Sequence, residues 1–252
     1  MSSLDRLQKS TDITNKLLSK SDDEFVKFFI KEPLIFRFIT SGEYPLSHAL
    51  LEKYKDKWDW EYLSKNESLP WAEELIDKFE DKWHWGNFWY GYLSGNIALP
   101  WTEELIEKYI DKWYWYHLSE NPTLPWTEEL IEKYKDKWLW GDMAHPYLSG
   151  NIALPWTEKL IEKYIDRWVW YRLSENPGLP WTEELIEKYK DKWDWYRLSK
   201  NPGLPWTLGL IEKYLNIWES HFTVWGDGKP FWQKAFEPYI TDQTIEKVMD
   251  RI

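Results

Sequence analysis

The chain of 252 residues carries a formal net charge of -11, is 43% hydrophobic and 19% aromatic, and contains no cysteine. The acidic balance opposes phosphate neutralisation and so disfavours nucleic-acid binding, while the missing thiols exclude disulfides and thiolate catalysis. An apolar fraction of this size supplies a packed interior, so disorder is not expected and a cytoplasmic protein is the default reading.

Residues 1–20 lack the basic start and apolar run of a secretory signal. No export is expected, and this segment reads as an N-terminal cap. Residues 21–44 keep the approximate length and apolar pattern of the later units without their Trp motif, and read as a degenerate repeat. Within them FVKFFIKEPLIFRFI, from Phe25 to Ile39, is interrupted by Lys27, Lys31, Glu32, Pro33 and Arg37. It is too short and too charged to cross a bilayer, so it reads as core and no membrane association is expected.

A Trp-rich repeat occupies residues 45–229. Pro70, Pro100, Pro125, Pro155, Pro180 and Pro205 each follow Leu and precede Trp, with Pro45 in a degenerate copy, and neighbouring prolines lie 25 or 30 residues apart. The unit is therefore 25 residues with two insertions of five, as in LPWTEELIEKYKDKWDWYRLSKNPG, Leu179 to Gly203. Pro180 suits a first helical turn, and Glu183 and Glu184 suit the positive end of the helix dipole, so a helix is expected from the proline onward. In the Pro125 unit Trp126, Leu130, Ile131, Tyr134 and Trp138 fall on one stripe about 140° wide at roughly 100° per residue. That stripe also takes in Thr127 and Lys137, which it would bury. The chain should then turn within about one residue, because Asp194 is a good N-cap for a second helix, WYRLSKN, that stops before Pro202.

This parsing explains the paired tryptophans, such as Trp193 with Trp195. Their indoles are expected to fill the corner between paired helices, each too short to be stable alone, so that units must stack. Nineteen of the 22 tryptophans occupy such frame positions, the exceptions being Trp89, Trp225 and Trp232, which assigns the frame rings to the core. The expected fold is an all-α solenoid of two-helix repeats with helical caps, forming a single domain over residues 1–252. The alternative is a leucine-rich-repeat horseshoe, because Trp168, Tyr171, Leu173 and Asn176 sit at that repeat's 1, 4, 6 and 9 places. After Pro205 the unit decays, Gly226, Gly228 and Pro230 mark a loop, and residues 230–252 read as a C-terminal cap.

The two insertions are GNFWY, Gly86 to Tyr90, and GDMAH, Gly141 to His145; residues 71–125 align with 126–180, so a two-unit module looks duplicated. Each insertion precedes a unit with Ile110 or Ile165 where the copies at Lys135 and Lys190 carry lysine, and is expected to bend back onto that isoleucine.

Little in the sequence points to chemistry. The five histidines show no metal-ligand spacing, carboxylate pairs such as Glu103 with Glu104 recur in nearly every unit, and no nucleophile or phosphate motif occurs. A non-enzymatic chain without cofactor or metal is expected. Binding remains, and the insertions carry its signal, since Phe88, Trp89, Tyr90, Tyr92, Met143, His145 and Tyr147 interrupt the repeat with residues favoured at interface hot spots. The expected function is a protein- or peptide-binding scaffold; the alternatives are a glycan-binding module using aromatic stacking, and a purely structural spacer.

LPWTEELIEKYKDKWDW, from Leu179 to Trp195, resembles the tandem Trp-rich repeat of hypothetical bacterial and some large-virus proteins, over roughly residues 45 to 218. The resemblance implies no activity, cofactor or catalytic residue. Both insertions and both ends depart from the plain repeat.

Overall fold

The computed structural model describes residues 22–35, 44–217 and 236–252. Among them every regular element is helical and no strand occurs, so the horseshoe alternative fails and the chain is a helical repeat solenoid. Contacts divide it into two compact units, Met1–His84 and Trp85–Ile252. The proposed cap at residues 1–20 lies outside the described residues.

In the first unit α1 (Asp22–Lys31) precedes α2 (His48–Lys53), α3 (Trp60–Leu63) and α4 (Glu73–Lys78). The second unit holds α5 (Tyr92–Gly95), α6 (Glu103–Lys108), α7 (Trp115–Glu120), α8 (Glu128–Lys133) and α9 (Tyr147–Gly150). It continues with α10 (Glu158–Lys163), α11 (Trp170–Glu175), α12 (Glu183–Lys188), α13 (Trp195–Leu198) and α14 (Leu208–Lys213). A 3-10 turn (Glu237–Tyr239) and α15 (Asp242–Met249) belong to the expected C-terminal cap; residues 230–235 of that cap lie outside the described residues.

The first helix of each unit starts later than its proline suggests. Trp126 N–H donates to Leu124 O across Pro125 at 2.8 Å, a three-residue turn that keeps the proline outside the helix. Thr127 is the N-cap instead, its Oγ1 accepting from Leu130 N at 3.0 Å, and Thr102, Thr157, Thr182 and Thr207 do the same in their units. Such a cap contributes about 0.5–2 kcal/mol. It also places Thr127 on the surface, against the helical-wheel expectation.

The helix also ends sooner. After Lys133 the chain enters a turn in which Lys137 N and Trp138 N both donate to Tyr134 O, at 2.8 and 3.1 Å. Lys137 has therefore left the wheel and is exposed, and in the plain units the two helices are linked by six residues, 109–114 and 189–194, not by a single residue. The second helix is as expected at α13, where Asp194 Oδ1 accepts from Arg197 N at 3.0 Å.

From the Pro70 unit to the Pro180 unit the same side chains are buried. Leu130, Ile131, Tyr134 and Trp138 are at most 5% exposed, as are their counterparts from Leu185 to Trp193, apart from Tyr189 at 6%. The indole N–H groups are anchored to backbone carbonyls: Trp138 on Leu130, Trp140 on Lys135, and Trp126 on Asn121. In the second unit the rings cluster at each joint between repeats, with Trp115 edge-on to Trp138 at 4.7 Å and Trp138 tilted on Trp126 at 4.9 Å. Such pairs add about 0.5–1.5 kcal/mol beyond their burial. The first unit repeats the motif with Trp60, Trp83 and Trp71. The described tryptophans of the frame are thus buried or half-buried mortar, not display.

Polar groups are stitched between repeats as well. Ser119 Oγ donates to Trp115 O and accepts from Leu139 N of the next unit at 3.0 Å, and Ser174 Oγ accepts from Asp194 N in the same way. Asn176 Nδ2 donates to Ser149 O, Asn201 Nδ2 to Ser174 O, and each Oδ1 closes its own turn two residues on. Buried polar atoms would otherwise oppose stacking; paired across the joint, they fix its register. α5, α7, α9, α11 and α13 form one row on this side of the unit.

Candidate interaction surface

The insertions are built by looping residues out of a helix. In plain units Trp115, Trp170 and Trp195 open the second helix. In the insertion-bearing units the chain leaves after Trp85 and Trp140 at Gly86 (φ 147) and Gly141 (φ 134). A Cβ at Gly141 would lie 3.0 Å from Pro146 O and from Val169 Cγ2, so only glycine fits this departure. Asp142 Oδ1 then accepts from Ala144 N and His145 N at 2.7 and 2.6 Å, and Asn87 Oδ1 accepts from Trp89 N and Tyr90 N at 2.8 Å. These are side-chain-capped turns made by residues suited to them.

On re-entry the helical hydrogen bond is resumed. Ser149 N donates to Trp140 O at 3.0 Å across the loop, the bond that Ser199 N makes to Trp195 O within a plain helix. The re-entry residues are strained, Tyr92 at φ 42 and Tyr147 at φ 39, a left-handed conformation costing a non-glycine residue roughly 1–3 kcal/mol. Their side chains offset it, being only 5% and 3% exposed. Two expected contact residues, Tyr92 and Tyr147, are therefore core: looping out the insertion turns the ring after it inward.

Each loop is pinned by the following unit. His117 Nε2 lies 2.9 Å from Asn87 O, and Arg172 donates to Asp142 O from Nε at 3.2 Å and to Met143 O from Nη2 at 2.6 Å. Ile110 and Ile165 are half-buried, but the insertions' hydrogen bonds and ring contacts go instead to Tyr116, His117 and Arg172 on α7 and α11.

The two insertions meet at Tyr116, which the sequence reading passed over. Its ring lies 5.4 Å from Phe88, 5.4 Å from His145 and 4.6 Å from Tyr147, and Phe88 stands perpendicular to Trp89 at 4.9 Å. One aromatic cluster therefore runs from Trp89 through Phe88 and Tyr116 to His145. Its available signal was position: Tyr116 belongs to the single unit between the two insertions. Trp89 is 78% exposed, Met143 71%, Phe88 57% and Tyr90 55%, whereas His145 is half-buried with its ring stacked on Tyr147.

Three titratable groups edge the cluster. The backbone N–H of His145, then that of Ala144, holds the Asp142 carboxyl below the usual range, so this exposed group is anionic. Burial pushes the Glu120 carboxyl up, against the opposing pull of His117 and His145. Burial and the hydrogen bond with Tyr116 raise the Tyr147 phenol. Among the described residues no three His, Cys, Asp or Glu side chains gather as metal ligands.

A concavity of about 380 Å³ among Glu103, Glu104, Glu107, Lys108 and Lys133 belongs to the charged face of the first helices. Lys133 bridges Glu103 and Glu107 at 2.7 and 2.8 Å, and Lys163 to Glu132 at 2.8 Å continues the pattern one unit on, so this is a solvated ladder of surface ion pairs.

No helix among the described residues is long and apolar enough to cross a membrane. No family model, curated protein or solved structure matches the chain.

Proposed function

We propose that the chain is a non-enzymatic, protein- or peptide-binding repeat scaffold whose contact surface is the aromatic cluster raised by the two insertions. One observation carries this reading: described frame tryptophans are buried or half-buried with their rings packed, whereas Trp89 is 78% exposed beside Phe88 at 57%. Exposed Trp, Tyr, Phe and Met on loops held by a rigid scaffold are the composition of interface hot spots. Nucleic acid suits the acidic chain poorly, and the absence of cysteine fits a cytoplasmic setting. Likeness to the uncharacterised Trp-rich tandem repeats is part of the proposal and adds no activity to it.

The glycan alternative loses its basis in rows of aromatic rings, because those rows are packed in the core; only the insertion rings would be left to stack on sugars. A pull-down from the native lysate compares wild type with Trp89→Ala and Met143→Ala. Loss of the same captured proteins with both variants is the expected result. Unchanged capture would leave the spacer reading. Tyr147 is unsuitable as a probe, since its removal tests folding.

A further inference from the structure

The frame aromatic rings show what their exposed faces accept. Lys112 lies over Trp85 at 5.4 Å, Lys137 over Trp115 at 5.5 Å, Arg167 over Trp140 at 5.4 Å and Lys192 over Trp170 at 5.5 Å. In each case the next unit lends a cation to the half-buried indole of the unit before, the placement that the ring quadrupole favours. Trp89 breaks this rule twice. Among the described residues no cation covers its face, and its indole N–H has none of the backbone carbonyls that anchor frame indoles such as Trp138 and Trp140. Among the described residues Trp89 meets the perpendicular ring of Phe88 and donates its backbone N–H to Asn87 Oδ1.

The cluster then leads from Trp89 through Phe88, Tyr116 and His145 to Asp142, whose side chain is 53% exposed and ionised. The cation beneath the second loop is already spent: Arg172 is engaged by two carbonyls and by Glu175 at 3.3 Å, with its side chain 15% exposed. The surface therefore offers uncovered aromatic faces at one end and a carboxylate at the other, on a chain of net charge -11.

We infer that the occupant of this surface is a cationic peptide segment, with an arginine or lysine side chain over Trp89 and Phe88 and a second basic side chain at Asp142. This rests on the interaction reading above and names the chemistry of its partner. A peptide supplying these charges would do from outside what Lys137 and Arg167 do within the repeat.

The test uses the full chain and a short synthetic peptide of alternating arginine and glycine, labelled for fluorescence anisotropy. Its citrulline analogue keeps the shape and hydrogen-bonding groups but removes the charge. The arginine peptide should bind and the citrulline peptide should not. Trp89→Ala, which leaves the net charge unchanged, should weaken binding about tenfold, within the cation–π range. Asp142→Asn should weaken it several-fold and reduce its salt dependence; asparagine closes the equivalent turn at Asn87, so the loop is kept. Equal affinity for wild type and Trp89→Ala would show attraction to the acidic surface at large and overturn the inference, as would failure of the arginine peptide to bind. Should the pull-down depend on Trp89 while the arginine peptide is silent, the scaffold reading stands and the cationic partner falls.

Discussion

Plain and insertion-bearing repeats of the same unit differ in where their chemistry goes. In the plain α11 repeat the chain passes from Val169 straight into helix, and Trp170 opens it, packs edge-on against Trp193 of the next unit and takes Lys192 over its face. In the α9 repeat a glycine departure, a five-residue loop and a left-handed tyrosine intervene, yet the Ser149 to Trp140 bond closes as if nothing had been added. Insertion therefore leaves the hydrogen-bonded frame intact and moves side chains outward that the frame has no use for. The frame supplies stability and the loops supply surface, which is why the two classes of tryptophan must answer mutation differently.

The largest effect separates them most sharply. Trp138→Ala removes a ring 4% exposed that packs on Trp115 and Trp126, and should cost roughly 3–5 kcal/mol in a denaturant titration. Trp89→Ala should stay within about 0.5 kcal/mol of wild type. A comparable loss at Trp89 would make the loop ring part of the core.

The inter-repeat stitching comes next. Asn176→Ala strips Ser149 O and Asn151 O of a donor and leaves Gly178 N without its acceptor, all at a buried joint. About 1–3 kcal/mol of stability should be lost, with the helical circular-dichroism signal below the transition unchanged.

Gly141→Ala probes the loop departure. At φ 134 and with Pro146 O and Val169 Cγ2 both 3.0 Å from the added methyl, it should destabilise by about 1–3 kcal/mol. Gly209→Ala, on α14 with its nearest atom at 3.9 Å, should stabilise by about 0.4–1 kcal/mol. Paired unfolding curves of opposite sign are the expected outcome; equal signs would remove the special status of the insertion glycine.

The smallest effects lie in pH dependence and run in opposite directions at the two places. Burial raises the folded-state Glu120 carboxyl, so between its unfolded and folded titration points the folded protein binds more protons than the unfolded chain. Stability contributed at this site falls as pH rises through that window, and Glu120→Gln should remove the loss. On the charged outer face Glu132 is lowered to about 2 by Lys135, then by Lys163 and the Tyr164 hydroxyl. Its contribution is complete above the ordinary carboxylate range and is lost as pH falls toward 2. High salt should flatten the Glu132 limb, which faces water, and leave the Glu120 limb largely in place. Denaturation midpoints of wild type, Glu120→Gln and Glu132→Gln across pH, at low and high salt, check both signs.

The helical repeat, the second-helix cap at Asp194 and the burial of the frame tryptophans were all legible, because each follows from residues close together in sequence. The early apolar stretch read as core leaves Val26, Phe28, Ile30, Leu34 and Ile35 exposed, and two features of the repeat were misread for a local reason. A helical wheel started at Pro125 assumes one continuous helix from the proline to Trp138, whereas Thr127 delays its start and the turn after Lys133 ends it early, so Thr127 and Lys137 face water. At the candidate surface Phe88, Trp89, Tyr90 and Met143 stand exposed as the composition suggested, His145 is half-buried, and Tyr92 and Tyr147 are in the core.

The amino-acid order by itself determined the period, the capped short helices and the division of aromatic residues into frame and insertion, since these depend on spacing and on hydrogen bonds made within a few residues. Only the tertiary structure decided that Tyr116 joins the two loops, that His117 and Arg172 hold them, and that serines and asparagines lock successive units. Those partners come from different repeats, as with His117 and Asn87, which are 30 residues apart. Their meeting depends on how units stack and which way a looped-out helix returns, and that geometry is set by packing between repeats that no single repeat contains.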